Sequence, residues 1–341
     1  MRWRSLPLLL LLLVSFLLVC RAKRSEFRIC AYTLQRFNSE KASDSRLMHT
    51  LTRIVSRCDI TLLQEVMDPD GKAIRSLLAS LNRYEDYNYK VVSSKSLGTS
   101  ANNMQQYVFI YRTDTVSVLG EHQYKKTQSF TREPFAVHFQ SQRTAIKEFI
   151  LVPLHSEPTR AVQEIDRLYD VFVEVSKKWK NTNVMFLGGF YASCAYMNRQ
   201  DRKKIRLLQT KFSWLIADRV DTTVTDMTSC AYDRIVVHGQ PFLRGVKAYS
   251  AKVFNFGKDL KIPRTKVRVS SFMFFCTLNQ VNCSVMIWTL CSFASACQVV
   301  EISDHYPVEV ILQSSALLLQ ATPFLSLLFI CTVVQSFLSA L

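Results

Sequence analysis

The stretch CAYDRIVV at 230–237 places Asp233 directly before an apolar run, and SDHYPVEV at 303–310 places Asp304 and His305 shortly before another. Short apolar runs of this kind, when bounded by polar residues, are typical of buried strands. Because the ends of a strand are held rigidly at the rim of a sheet, polar residues at these positions are candidates for chemistry. The two stretches therefore predict strands with functional side chains at their ends.

Similar apolar runs recur along the 341-residue chain, at 27–32, 60–66, 107–111, 149–154 and 184–187. Helical patterns lie between some of them: 46–57 repeats apolar residues on one face behind Ser43 and Asp44 as possible caps, and 161–179 repeats them over five turns. Strands that alternate with helices predict sheets covered by helices. Further polar or unusual residues at predicted strand ends are Glu65, His155, Gly189 and Tyr191.

Seven motifs carry a resemblance to a known family: LLQEV, REPF, LVPLH, LYDVFVEVSKKW, DTTV, CAYDRIVV and SDHYPVEV, in this order across 27–312. In these motifs the chain resembles the deoxyribonuclease I family. The opening FRICA, the RCDI at 57–60 and the apolar tail look most similar to the membrane-anchored branch often called deoxyribonuclease X. The resemblance implies an α/β fold of the endonuclease/exonuclease/phosphatase type, a four-layer sandwich of two packed central β-sheets flanked by helices.

The resemblance also implies hydrolysis of DNA phosphodiester bonds with a divalent metal, Mg²⁺ or Mn²⁺, while a role for Ca²⁺ stays open. That reaction needs a deprotonated water, a protonated leaving oxygen and compensation of the charge on the phosphate. By resemblance, His155 and His305 match the two catalytic histidines, and Asp233 matches the carboxylate partner of His305. Glu65 matches a metal-binding carboxylate, and Asp304 another acidic position beside the metal.

Arg132 matches a DNA-contacting arginine, but four other positions depart from the family pattern. Thr33 stands where the family has Asn, and Gln105 stands where it has the Glu partner of the first histidine. The family's GDFNA is GGFYA here, so that Gly189 and Tyr191 replace the Asp and Asn that hold metal and phosphate. These replacements predict weakened catalysis, because neither a glycine nor a neutral Gln supplies the lost charge.

Four of the ten cysteines are interpreted as two groups. By resemblance, Cys194 and Cys230 form the family's structural disulfide, which closes the loop before the strand that begins near Asp233. Cys30 and Cys58 lie in or beside predicted buried strands, and we interpret them as core thiols.

Both ends of the chain are apolar. Residues 1–22 carry Arg2 and Arg4 before an apolar run and predict a cleaved signal peptide, with an uncleaved anchor as the alternative. Residues 314–341 predict a glycosylphosphatidylinositol signal, and a single-pass membrane anchor competes with it. The remainder, 23–313, is predicted to be one domain, secreted or held at the cell surface and monomeric.

The formal charge of +16 falls to 16 − 3 = +13 without Arg2, Arg4 and Arg21 of the leader. Such an excess favours DNA or another polyanion as partner, although charge alone is also compatible with a purely solubilising role. The sequence therefore supports two functions. One is a DNA endonuclease of reduced activity, and the alternative is a catalytically inactive pseudoenzyme that binds DNA or another polyanion.

Residues 267–298 do not fit the strand and helix pattern, because they are rich in Phe, Cys and Ser and contain a single charged residue, Arg268. They also contain the glycosylation sequon at Asn282. We interpret the segment as an atypical apolar insertion, and a true surface loop is the alternative.

Deleting 267–298 is expected to raise the secreted yield and the melting temperature, because an apolar insertion just before Asp304 and His305 would promote misfolding. Yield and thermal unfolding of the deletion variant beside the full chain test this prediction. A loss of both would show that the segment is an integral part of the fold.

Overall fold

The computed structural model describes residues 26–125, 129–209, 211–225, 227–262 and 302–315. Within them, twelve strands form two six-stranded sheets. The strands are β1 (Phe27–Phe37), β2 (Ile60–Val66), β3 (Tyr89–Ser93), β4 (Gln106–Arg112), β5 (Ser117–Gln123), β6 (Phe135–Gln140), β7 (Glu148–Pro153), β8 (Val184–Gly189), β9 (Phe212–Trp214), β10 (Asp233–His238), β11 (Lys252–Val253) and β12 (Val308–Leu312). All seven predicted strands are present.

The two sheets are mixed. The first has the order β11-β12-β1-β2-β4-β3, in which β1 and β2 are parallel and the other pairs are antiparallel. The second has the order β5-β6-β7-β8-β10-β9, with β7 and β8 as its parallel pair. In each sheet the parallel pair is central, so the carboxyl ends of β1 and β2, and of β7 and β8, emerge side by side.

The described residues form seven α-helices, and the longer ones cover the outer faces of the sheets. They are α1 (Ser39–Ser43), α2 (Ser45–Val55), α3 (Lys72–Tyr84), α4 (Ala161–Trp179), α5 (Arg199–Arg202), α6 (Gly239–Gly245) and α7 (Phe256–Asp259). Helices α2 and α3 pack with the outer face of the first sheet, and α4 packs with that of the second. The predicted four-layer sandwich is therefore correct.

The layer between the sheets is a continuous apolar core. Alternate residues of both sheets point into it, among them Ile29, Leu62 and Phe109 of the first sheet and Phe149 and Leu187 of the second. Burying each such side chain stabilises the fold by about 2 kcal/mol. This core fixes the position of one sheet relative to the other. It therefore also fixes the side chains at their common rim.

The helix predicted at 46–57 begins one residue earlier and ends at Val55. Asp44 is its N-cap, and its carboxylate accepts hydrogen bonds from the amides of Arg46 and Leu47 at 2.8 and 3.2 Å. The cap satisfies donors that have no partner within the helix. The helix at 161–179 has the predicted bounds.

Two disulfides lie within the described residues, and one of them corrects the sequence analysis. Cys194 is bonded to Cys230, the pair that the resemblance implies. Cys30 and Cys58 are also bonded to each other, so our interpretation of them as core thiols is wrong. Cys30 lies on β1 and Cys58 just before the neighbouring β2, and the pairing of these strands brings the two Cα atoms to 6.2 Å.

Several predictions concern segments outside the described residues. These are the signal peptide at 1–22, the segment 267–298 with Asn282, and the tail from residue 316 onward. Among the helices that are described, none has the length and apolar character needed to cross a membrane.

Candidate active site

Side chains from both sheets meet at one rim of the sandwich. His155 follows β7, Gly189 is the last residue of β8, and Asp233 is the first residue of β10. Asp233 and Gly189 are directly paired across the antiparallel ladder. From the first sheet, Glu65 lies near the end of β2 and His305 lies shortly before β12. Residues far apart in the sequence thus lie at one rim of the sandwich.

His305 and Asp233 form a close pair. The distance from His305 Nδ1 to Asp233 Oδ2 is 2.6 Å, and both side chains are almost fully buried. The second carboxylate oxygen of Asp233, Oδ1, accepts a hydrogen bond of 3.4 Å from the hydroxyl of Thr33. The carboxylate therefore orients the imidazole through Nδ1, and Nε2 is the ring nitrogen that this contact does not use.

Backbone contacts hold this pair in position. The Asp233 amide donates to Thr222 Oγ1 at 3.1 Å, and the His305 amide donates to Ser303 Oγ at 3.0 Å. Ser303 in turn donates its hydroxyl to the carbonyl of Thr33 at 2.6 Å. The segments that carry Asp233 and His305 are thereby tied to each other and to β1.

His155 has a different partner. Its Nδ1 is 3.0 Å from Gln105 Oε1, an acceptor, so this nitrogen carries the proton. Its Nε2 is 3.3 Å from Glu65 Oε1. The amide of His155 donates to the hydroxyl of Tyr107 at 2.9 Å, which fixes the backbone. Gln105 can orient the ring, but as a neutral group it cannot stabilise an imidazolium as a carboxylate would.

The pKa values of the two imidazoles are shifted in opposite directions. For His305, burial disfavours the charged ring, but the carboxylates of Asp233, Asp304 and Glu65 outweigh it and raise the pKa to about 9. For His155, burial and then the positive charges of Arg132 and His305 hold the pKa well below its usual range. Near neutral pH, one ring is therefore protonated and the other neutral.

Glu65 and Asp304 are two acidic groups of the site that are close enough for the charge of one to act on the other. Glu65 has a left-handed backbone conformation, φ +56°, at an irregularity of β2, and its Oε2 accepts from the Arg36 amide at 3.1 Å. Burial and the charge of Asp304 raise the pKa of Glu65. A non-glycine residue in this conformation at a cleft is a mark of a functional position.

The carboxylates meet the needs of a magnesium ion only in part. Carboxylate oxygens suit Mg²⁺, which keeps several waters and needs few protein ligands. Within the part of the chain that the structure describes, no group of three or more His, Cys, Asp and Glu side chains could hold a metal ion. The described residues thus offer two neighbouring carboxylates, Glu65 and Asp304, and not a complete set of protein ligands for a metal ion.

Gln64 is a site residue that the sequence analysis missed. Its buried amide donates from Nε2 to the Leu154 carbonyl at 2.8 Å, and its Oε1 accepts from the Gly189 amide at 2.9 Å. It thus ties β2 of the first sheet to the ends of β7 and β8 in the second. A single Gln in the apolar run ITLLQEV is the signal that could have identified it.

Arg132 lies beside the cleft with 4% of its surface exposed. Its NH1 donates to the His155 carbonyl at 3.3 Å, and its NH2 is 3.8 Å from Glu157 Oε2. Buried Glu164 fixes this region, because it accepts hydrogen bonds from the Thr131 amide and hydroxyl and from the Glu157 amide. The guanidinium of Arg132 is therefore held against the backbone of His155.

A model of the endonuclease/exonuclease/phosphatase family matches residues 30–305. Mouse deoxyribonuclease-1-like 2 is 39% identical over 83% of this chain and 90% of its own length. Human deoxyribonuclease gamma is 36% identical over 92% of both chains. The chain belongs to the deoxyribonuclease I family. The solved structure of an endonuclease/exonuclease/phosphatase from Bacteroides vulgatus, 13% identical over 86% of this chain and all of its own, has a TM-score of 0.52 and shares the fold.

At Gly189, this member of the deoxyribonuclease I family lacks a side chain at the centre of the site. A Cβ added there would lie 3.1 Å from His155 Cδ2, 3.6 Å from Thr33 Oγ1 and 3.8 Å from Asp233 Oδ1. A side chain at this position would therefore lie among His155, Thr33 and Asp233. With glycine, no charged group stands there.

Tyr191 lies beside both histidines in the deoxyribonuclease I-like site. Its ring centroid is 6.0 Å from that of His155, 6.0 Å from that of His305 and 4.9 Å from that of Tyr232. Its backbone is left-handed, with φ +51°. Burial and the nearby carboxylates, first that of Glu65, raise the pKa of the phenol, which is therefore neutral.

The open part of the site is a cleft of about 230 Å³. Its walls include Arg36, Glu65, Gln105, His155 and Tyr191. Among the described residues, those lining this cleft do not include His305 or its partner Asp233. The ring of Tyr191 therefore forms a wall at the His155 side of the site.

Proposed function

We propose that this protein is a divalent-metal-dependent DNA endonuclease whose rate is well below that of family members with a complete site. One observation carries the proposal: the buried His305–Asp233 pair, 2.6 Å apart, lies at the same rim as the oriented ring of His155. Two imidazoles at one rim, each fixed through Nδ1, are suited to moving one proton from a water and another to a leaving oxygen.

The chain's own residues have distinct parts in this proposal. His305, with Asp233 behind it, holds a proton at Nε2 near the phosphate. His155 accepts a proton at Nε2, and Gln105 keeps its ring in the required tautomer. Because Gln105 is neutral, the imidazolium that forms on His155 is less stable than it would be beside a carboxylate, which lowers the rate.

Glu65 and Asp304 would hold Mg²⁺ or Mn²⁺, and the bound ion would reduce the negative charge that develops on the phosphate. Arg132 would contribute positive charge beside the same cleft. Since Gly189 supplies no ligand, we propose that the ion is held more weakly here than in relatives with a carboxylate at this position.

The alternative function is a pseudoenzyme that binds DNA or another polyanion without hydrolysis. Two observations favour it: the glycine at 189, and the aromatic wall that Tyr191 forms beside His155. The excess of positive charge supports polyanion binding in both functions.

We propose that the protein is secreted or held at the cell surface as a monomer. The apolar leader and the two disulfides support passage through an oxidising compartment. Ser314 forms a bridge with Thr144, and the Ser315 amide donates to the Arg143 carbonyl at 3.1 Å. An anchor attached at either serine would therefore hold the domain close to the membrane, whether it is a lipid or a spanning segment.

Plasmid nicking by the purified protein tests hydrolysis. With Mg²⁺ or Mn²⁺ we expect nicking about a thousandfold or more slower than by deoxyribonuclease I, because Gln105, Gly189 and Tyr191 together leave the site without the groups that act as a unit in catalysis. Asp233→Asn keeps the shape of the side chain and removes its charge. It is expected to lower the remaining rate by at least about a hundredfold.

The nicking rates of the unchanged protein and of Asp233→Asn decide between the endonuclease and the pseudoenzyme. Equal nicking by the unchanged protein and by Asp233→Asn would show that the measured cleavage does not come from this site. In that case, retained binding of labelled duplex DNA would favour the polyanion-binding alternative. Circular dichroism of both proteins controls for folding.

A further inference from the structure

The position of Tyr191 has a consequence for the kind of nucleic acid that the site can take. An internal phosphodiester continues into a nucleotide on each side, so it needs space on both sides of the phosphate. The open cleft has the Tyr191 ring as one wall, and His305 and Asp233 are not among the described residues that line it. A strand that runs through the whole site would have to displace this ring.

The ring of Tyr191 is held by its neighbours. Its plane is within 31° of that of His155 and within 37° of that of Tyr232, and Tyr196 packs against it with a centroid distance of 5.5 Å. Aromatic pairs at such distances each stabilise the arrangement by about 1 kcal/mol. Moving the ring would therefore disrupt several contacts at once.

The cleft on the near side of the ring carries donors for an anion. Arg36 and Arg132 line it together with His155, and two carboxylates, Glu65 and Glu157, line it as well. Arg132 is 4% exposed, and its buried Nε has no hydrogen-bond partner among the described residues. Guanidinium groups bind phosphate oxygens with short, charge-assisted hydrogen bonds. Glu65 of the same cleft is the residue that would hold magnesium.

From this geometry we infer that the cleft binds the terminal phosphomonoester of a nucleic-acid strand in preference to an internal phosphodiester, with Tyr191 as the wall that makes the site single-ended. The inference rests on the proposed function, since it concerns the same site and takes a nucleic acid as ligand. An internal phosphodiester enters only when the Tyr191 ring is displaced, which agrees with the slow nicking expected above. A strand end needs space on only one side of its phosphate, and its second negative charge matches the two arginines.

Binding of linear and circular strands tests the inference directly. The ligands are a labelled circular single-stranded oligonucleotide and the same sequence in linear form, with a phosphate at one end or with hydroxyl ends only. Measurements use Mg²⁺ and the Asp233→Asn protein, so that cleavage does not alter the ligands. We expect the phosphate-ended strand to bind about tenfold or more tightly than the other two.

A variant of the wall shows whether Tyr191 causes the preference. Tyr191→Gly suits the left-handed backbone and is expected to raise the affinity for the circle until it approaches that for the phosphate-ended strand. Tyr249→Gly is the matched control, because Tyr249 also has a left-handed backbone, φ +56°, and is fully exposed. It should leave the preference unchanged.

The outcomes separate this inference from the proposed function. Equal affinity for circle and phosphate-ended strand would overturn the inference and leave nucleic-acid binding in place. No binding of any strand would overturn both. Competition by thymidine monophosphate as strong as that by the phosphate-ended strand would assign the site to small phosphomonoesters, and weaker competition would assign it to strand ends.

Discussion

Nicking activity should rise by about a thousandfold or more when Gly189→Asp, Tyr191→Asn and Gln105→Glu are combined in one protein. The Asp would add a carboxylate beside Thr33 and His155, at the rim where Glu65 and Asp304 would hold the metal. The Asn would remove the aromatic wall, and the Glu would give His155 a charged partner.

The structure indicates that the fold can accept these three changes. The added Cβ at position 189 approaches His155 Cδ2 to 3.1 Å, so the ring must shift by a few tenths of an ångström. Asn tolerates the left-handed backbone of Tyr191, φ +51°, better than most residues do. Gln105 and Glu have nearly the same shape, so the contact with His155 Nδ1 can be retained.

Plasmid nicking by the triple variant, its single variants and the unchanged protein provides the measurement. Single changes should have little effect, because catalytic groups that act as a unit are strongly non-additive. Adding Asp233→Asn to the triple variant should abolish the gain, which controls for contaminating nucleases. If the unchanged protein already nicks DNA as fast as the triple variant, the replacements at 105, 189 and 191 do not limit catalysis.

The second large effect concerns Arg234, whose side chain is fully buried next to Asp233. It donates hydrogen bonds to the carbonyls of Ala231, Ile216 and Ala192 at 2.9, 2.9 and 3.1 Å. It also forms an ion pair of 2.8 Å with Asp218. One side chain thus joins three loop segments around the site, including the one that carries Tyr191.

Arg234→Met is expected to lower the free energy of unfolding by about 3–5 kcal/mol, because it leaves three carbonyls without their donor. Arg202→Met is the matched control, since Arg202 contacts the same Asp218 at 2.9 Å but is 36% exposed. Surface ion pairs contribute about 1 kcal/mol or less, so the control should change little. Chemical denaturation with intact disulfides measures the free energy of unfolding of both variants. A similar decrease in the two variants would contradict this account of Arg234.

The sequence by itself determined the fold class and most of the residues around the cleft. Apolar runs identify the central strands, because a strand buried on both faces must be apolar throughout. The short motifs around Glu65, His155, Asp233 and His305 placed these residues at strand ends, where the structure brings them together. The helix at Lys72–Tyr84 was missed, although its buried Ala73, Ile74, Leu77 and Leu81 have helical spacing. The shorter or half-exposed strands β3, β5, β9 and β11, and the buried β6, were missed as well.

Only the tertiary structure decided which distant groups are in contact. The disulfide between Cys30 and Cys58 depends on the pairing of β1 with β2, and the link from Gln64 to Gly189 depends on how the sheets face each other. The wall formed by Tyr191 depends on a left-handed backbone and on packing against His155 and Tyr232. Strand register and ring packing are long-range properties, and local sequence patterns do not specify them.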